Sequence, residues 1–169
     1  MCDEYRLNAD MSVALGGDAD AIVVPEKILL SKRGVACRPG DTAPLLVPVD
    51  PNAPEAGLRW IFARWWLVPS FHHGATSTWR IGTALARLEN LETRYAFREP
   101  YRYQRALAPF TSFIVYSPPS DGGRRSPERG WSISWRPIGP GDSVRFFPAV
   151  WDRATVPGEP RDLLRFAIV

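Results

Sequence analysis

The stretch "LRWIFARWWLV", residues 58–68, is dense in aromatic and branched side chains and runs into Pro69. Such residues fit the half-buried surface of a sheet, and a proline directly behind them ends the run, so 58–68 reads as a strand. Side chains of a strand point alternately to its two faces. Of the neighbours Trp65 and Trp66, only one is therefore expected to be exposed.

Further runs of the same kind lie on both sides. "APLLVPV" (43–49), "TSFIVYS" (111–117), "GWSISW" (130–135), "SVRFFPAVW" (143–151) and "LLRFAIV" (163–169) all read as strands. "NAPEAG" (52–57) reads as a hairpin connection, and the Pro/Gly/Arg-rich 117–130 as an exposed loop. Helical spacing is confined to 84–107, where Leu85, Leu88, Leu91 and Tyr95 recur with charges between them. A helix is expected near 90–97, with another turn near 99–104 after Pro100. The fold class is mainly β (α+β): mostly antiparallel strands with a few short helices, in a single domain over 1–169. The last strand, 163–169, is expected to present a free edge. Such edges invite pairing, which predicts a homodimer or a partner chain there.

Composition narrows the function classes. No apolar run is long enough to span a membrane, since 20–30 is interrupted by Pro25, Glu26 and Lys27. The acidic start does not resemble a secretory signal, so the expected location is cytoplasmic, nucleoid-associated. Two cysteines, Cys2 and Cys37, make no disulfide framework or CxxC pair. The histidines, His72 and His73, do not complete a three-ligand zinc site, and no cofactor or metal is expected. Of 21 basic residues only Lys27 and Lys32 are lysines. Arginine forks suit phosphate and stack on bases; codon usage in a GC-rich genome gives the same excess.

Cys2 stands directly behind Met1. Loss of Met1 leaves an amine and a thiol on one residue, a pair that condenses with aldehydes to a thiazolidine ring. The α-amine has a reference pKa near ~7.7, so an appreciable fraction is neutral and nucleophilic at pH 7.

Several segments, in order, resemble the SOS response-associated peptidase (SRAP) family. Met1-Cys2-Asp3-Glu4-Tyr5 resembles its Met-Cys-Gly-Arg-Tyr/Phe start. Ala36-Cys37-Arg38-Pro39-Gly40 resembles its "NxAPG" turn, and Arg64 to Phe71 its "RWGLxPSW" strand. Leu85-Ala86-Arg87-Leu88-Glu89-Asn90, Phe97-Arg98 and Arg105 to Pro109 follow its "NARAET…FR…RRCLVP" segment. Ser112 to Tyr116 falls on "GFYEW" and Pro148 to Asp152 on "AGLWD".

The resemblance implies a β-rich domain that binds abasic sites in single-stranded DNA and crosslinks to them through Cys2. It also implies peptidase-type self-processing, with an Asn, a Glu and a His assisting proton transfer. Leu85 stands at the Asn position and Val115 at the Glu position. The His position lies beyond residue 169, so the chain resembles a family member short of its C-terminal segment. Glu4 reverses the family's Arg.

Cys2 is the catalytic candidate, and the DNA-binding candidates are Arg87, Arg64, Trp65 and Arg105. Arg87 suits phosphate, or a salt bridge to Glu89 or Glu92. Arg64, Trp65 and Trp66 suit a stacking platform for bases, or core. Arg94, Arg98, Arg102 and Arg105 form a basic stripe if a helix runs through them, or a solvated face. His72 or His73 could replace the missing general acid, or sit in an exposed turn.

Two functions follow. One is an SRAP-like DNA-damage-response protein that crosslinks abasic single-stranded DNA. The other is an inactive SRAP-like binding or assembly module, in one version half of a split protein. With the Asn, Glu and His helpers absent, the sequence does not decide between an enzyme and a binding module.

Overall fold

A computed structural model describes residues 4–7, 35–116, 132–135, 144–161 and 163–169. Cys2 and the 117–130 connection lie outside the described residues. Among these residues the strands are β1 (Glu4–Leu7), β2 (Val35–Cys37), β3 (Thr42–Asp50), β4 (Ala53–Trp65), β5 (Arg105–Phe110), β6 (Ser112–Tyr116), β7 (Ser132–Trp135), β8 (Arg145–Asp152) and β9 (Leu164–Ile168). Among the described residues one α-helix, α1 (Tyr95–Tyr103), lies between β4 and β5. The expected β-rich class is what the chain adopts.

The stretch 58–68 supplies most of β4, which pairs with β3 along nearly its whole length. Asp50 Oδ1 accepts from Asn52 N at 2.8 Å, so the hairpin turns over Pro51 and Asn52. The connection expected at 52–57 is instead already strand from Ala53 onward, because this Asx turn closes the hairpin earlier. Five strands close into a barrel in the order β3-β4-β9-β8-β5, and a separate four-stranded sheet, β2-β1-β6-β7, packs on its core through Tyr5 and Cys37. Closure between β3 and β5 rests on one pair, Leu46 with Leu107. Pro44 and Pro48 flank that point and have no N–H to donate to a ladder.

Alternate residues of three strands meet in the core. Ala43, Leu45 and Val47 of β3, Ile61, Ala63 and Trp65 of β4, and Leu164, Phe166 and Ile168 of β9 all join one apolar cluster. Trp65 is at its centre, with Tyr5 and Phe166 at ring-centroid distances of 5.1 and 6.3 Å. A second cluster forms on the barrel's outer side, where Val150 and Ala167 meet Leu91, Ala96 and Phe97.

Three expectations are corrected. Residues 88–90 form only a 3-10 turn, and α1 begins at Tyr95 and runs through Pro100. Pro100 removes one backbone donor, but it is buried with Ala96 and Phe97, and that packing holds a helix too short to stand alone. Leu88 and Tyr95 are exposed, so the apolar spacing across 85–95 is not one helical face. Finally, 163–169 offers no free edge. β9 pairs with β4 in parallel and with β8 antiparallel, and all five of its residues are buried. The ground for a homodimer or partner chain at that strand is thereby removed.

No helix among the described residues is long and apolar enough to cross a membrane.

Candidate functional site

Beyond β4 the chain returns to the barrel at Ala84–Ala86. Ala86 N donates to Ile168 O at 2.7 Å, Ile168 N donates to Ala84 O at 3.1 Å, and Leu85 bridges Ile168 in parallel. This short addition to the end of β9 holds Leu85 over a cavity of about 670 Å³. Val115 reaches the same cavity from β6 in the other sheet, and Phe113 and Phe147 extend its apolar wall. Arg87, Asn90 and Arg94 supply the polar lining. The described lining holds two arginine side chains and no acidic side chain, around an apolar floor.

Both positions where the family resemblance places polar helpers, Leu85 and Val115, therefore face one space together with Arg87. Arg87 is exposed and, among the described residues, forms no ion pair with Glu89 or Glu92. β1 runs beside this wall: Glu4 pairs with Ile114, the neighbour of Val115. Cys2 precedes Glu4 by two residues in sequence and lies outside the described residues.

Glu4 does not oppose an anion as its sign suggests. Its side chain is 1 % exposed; Oε1 accepts from Arg6 Nε at 3.0 Å, and Oε2 from Arg38 Nε at 2.8 Å. Burial pushes the carboxyl's pKa up, but the hydrogen bonds and charges of Arg38 and Arg6 outweigh it and hold the pKa below its ordinary value. Both arginines stay half exposed or more, so the buried acid positions two cations at the surface.

The other thiol is a different case. Cys37 is 1 % exposed, and burial pushes its pKa up to about 11, with Asp41 and Glu4 adding to a rise that a hydrogen bond with Tyr5 opposes. It is a core residue with little nucleophilic character.

Three further site candidates are placed elsewhere. Trp65 is corrected outright: it is fully buried, its Nε1 donates to Ala84 O at 2.7 Å, and no base can stack on it. Trp66 is the partly exposed one of the pair. Arg64 and Arg105 lie apart from the Leu85 cavity, Arg64 near Glu159 and Arg105 exposed on β5. The basic stripe is not continuous, because α1 ends at Tyr103 and Glu99 sits between Arg98 and Arg102, at 3.6 and 3.7 Å.

Neither histidine lines the cavity. His72 Nε2 lies 3.2 Å from Ala75 O and 3.2 Å from Thr78 Oγ1, and its ring packs against Trp79. His73 is exposed. Asn90 is the polar lining residue that sequence reasoning passes over, since nothing in its neighbourhood separates it from a solvated turn. Among the described residues no group of His, Cys, Asp and Glu is arranged to hold a metal.

Trp66 has φ of 156°, a conformation that favours glycine, and it stands where the resembled "RWGL" strand has Gly. The backbone there leaves β4 and turns to β9, with Trp66 N donating to Phe166 O at 3.0 Å.

No family model and no curated protein matches the chain. Solved structures do. A protein from Bacteroides thetaiotaomicron is similar with a TM-score of 0.68 at 15% identity, over 98% of this chain and 66% of its own. A protein from Bordetella bronchiseptica is similar with a TM-score of 0.62 at 16% identity, over 98% and 70%. A phage-related protein from the same organism gives 0.58 at 16%, over 99% and 68%. At these identities the likeness is one of fold, and the chain spans about two thirds of each neighbour's length.

Proposed function

We propose that this chain is an SRAP-like protein that binds abasic sites in single-stranded DNA and crosslinks to them through Cys2. One observation carries the reading. Val115, some thirty residues on in sequence, lines a single cavity with Leu85 and its near neighbour Arg87, beside the strand that leads from Cys2. The glycine-like backbone at Trp66 is a second, independent support.

The chemistry needs the Cys2 amine freed of Met1. The amine nitrogen adds to the ring-opened sugar's aldehyde carbon, and loss of water leaves an imine. The sulfur then bonds to that carbon, and the thiol proton ends on nitrogen, for a net release of one water. General acid–base help is typically worth about 10²–10⁴-fold. With Leu85 and Val115 at the helper positions that gain is absent, while proximity remains. The crosslink forms slowly, and its reversal, which needs a proton donor at the ring, is slower still. Arg87 and Arg94 supply phosphate contacts at the rim.

The test is a denaturing gel of the protein incubated with an oligonucleotide bearing one abasic site. A shifted band is expected, lost in Cys2→Ala and kept in Cys37→Ala. No band, or a band unchanged by Cys2→Ala, overturns the reading.

A second reading, an inactive module, is favoured by the same apolar pair: Leu85 and Val115 make the cavity drier and suited to protein contact. It predicts an intact fold with no crosslink, and an intact mass that still includes Met1.

A further inference from the structure

Arg64 and Arg165 are partners in the parallel register of β4 and β9. Trp65 and Phe166, the next residues along, pack into the core, so the two arginines stand on the outer side. Like charges placed opposite each other destabilise a sheet unless a counter-charge intervenes. Glu159 provides one. Its Oε2 accepts from Arg165 NH2 and lies 3.5 Å from Arg64 NH1. Thr76 Oγ1 donates to Glu159 Oε1 at 2.7 Å and accepts from Arg165 NH2 at 3.0 Å.

That arrangement is unbalanced. One carboxylate faces two guanidinium groups, and Arg165 is 1 % exposed. Its Nε and NH1, and Arg64 Nε, are buried and, among the described residues, have no hydrogen-bond partner. Buried donors without acceptors are costly, more so on a charged group. Both arginines line an open cleft of about 540 Å³, whose other walls include Thr76, Ser77, Trp66 and Trp79. Arg80, exposed and without an ion pair among the described residues, also lines it. Two positive charges are thus in excess over Glu159.

We propose that this cleft binds the phosphate monoester of a nucleotide, with its base against the partly exposed tryptophans. A monoester carries close to two negative charges and accepts several hydrogen bonds, matching the surplus; a carboxylate supplies one charge. Arg80 and Ser77 contact the phosphate from the open side, and Arg64 and Arg165 provide the field beneath. Trp66 and Trp79 offer ring faces on which any base can stack. The cleft shares no lining residue with the Leu85 cavity, so the proposal does not rest on the crosslinking reading.

The experiment is calorimetric titration at low salt with thymidine 5′-monophosphate, thymidine, inorganic phosphate, and oligothymidylate with and without a 5′-phosphate. Thymidine monophosphate is expected to bind more tightly than either thymidine or inorganic phosphate. Arg80→Ala, a surface change that leaves folding intact, is expected to weaken it roughly tenfold, the loss of one charge-assisted contact. Cys2→Ala is expected to leave binding unchanged, which separates this outcome from the fate of the crosslink. Tighter binding of the phosphorylated than the unphosphorylated oligonucleotide identifies a strand end as the source; equal binding of the two, with the mononucleotide bound, identifies a free nucleotide. Absence of thymidine monophosphate binding overturns the proposal. So does binding that Arg80→Ala and Arg64→Ala both leave unchanged, or inorganic phosphate bound as tightly as the nucleotide.

Discussion

Leu85 and Val115 line the same cavity from different elements, one held by a bridge to Ile168 and the other by the pairing of β6. On the proposed crosslinking reading, apolar side chains at these two positions affect a rate and not an equilibrium. Replacing them with Leu85→Asn and Val115→Glu restores polar groups over the cavity. Crosslinking to an abasic oligonucleotide is expected to accelerate by about 10²-fold, the low end of what acid–base assistance contributes. A time course on denaturing gels reads this directly; an unchanged rate in a folded double variant would mean that the cavity does not hold the reacting aldehyde.

Trp66 gives a test of the backbone rather than the chemistry. Its φ of 156° suits glycine, while its ring packs against Val68 and the residues around Ala154. Both Trp66→Gly and Trp66→Ala lose that packing, about 2 kcal/mol for a partly buried ring. The order between them is the informative part. Glycine is ordinarily the worse choice in a strand, but here Trp66→Gly should be the more stable of the two by about 1 kcal/mol, because alanine keeps the strained φ. Urea midpoints of the two variants measure the difference, and the reverse order would show that the strand end is relaxed.

The strands that are readable from sequence are those whose inward residues are large. "APLLVPV", "SVRFFPAVW" and "LLRFAIV" become β3, β8 and β9 with nearly the expected limits. β5 is not readable that way. Its inward residues Ala106 and Ala108 are small, because Ala108 pairs opposite Phe147, whose ring stacks on Phe110 at 3.8 Å. Alanines among arginines carry helical propensity, so 105–107 falls inside the segment of helical spacing, 84–107, and tertiary packing makes it strand. The Leu85 and Val115 positions are legible only through the family resemblance. The cluster of Arg64, Thr76, Glu159 and Arg165 is not legible at all, since its members come from four separate segments and share no spacing.

Cys37 should stay silent in thiol chemistry. A thiol pushed up to about 11 and 1 % exposed is almost wholly protonated at pH 8 and shielded as well. Brief iodoacetamide treatment of the native protein followed by peptide mapping should leave Cys37 unmodified, and the same treatment in denaturant should modify it. Native labelling at Cys37 would show that the β1–β2 sheet opens readily, and would require the Cys37→Ala control before any crosslink is attributed to Cys2.

Glu159 links the Arg64–Arg165 pair to pH. Burial pushes its pKa up, but the hydrogen bond from Thr76 and the charges of Arg165 and Arg64 hold it below the ordinary carboxylate value of about 4.3. The folded state therefore binds this proton less readily than the unfolded state. Stability from the interaction is fully present above the unfolded value and is lost as pH falls through the folded one. Glu159→Gln leaves Arg165 buried without its counter-charge and is expected to cost about 3 kcal/mol at neutral pH. Because protonation of Glu159 does to the wild type what the substitution does to the variant, the gap between them should narrow steadily below about pH 4. Urea denaturation of both proteins from neutral to acidic pH reads that gap. A gap that stays constant would mean that the cost comes from altered packing of the 159 segment, and that the carboxylate charge holds nothing in place.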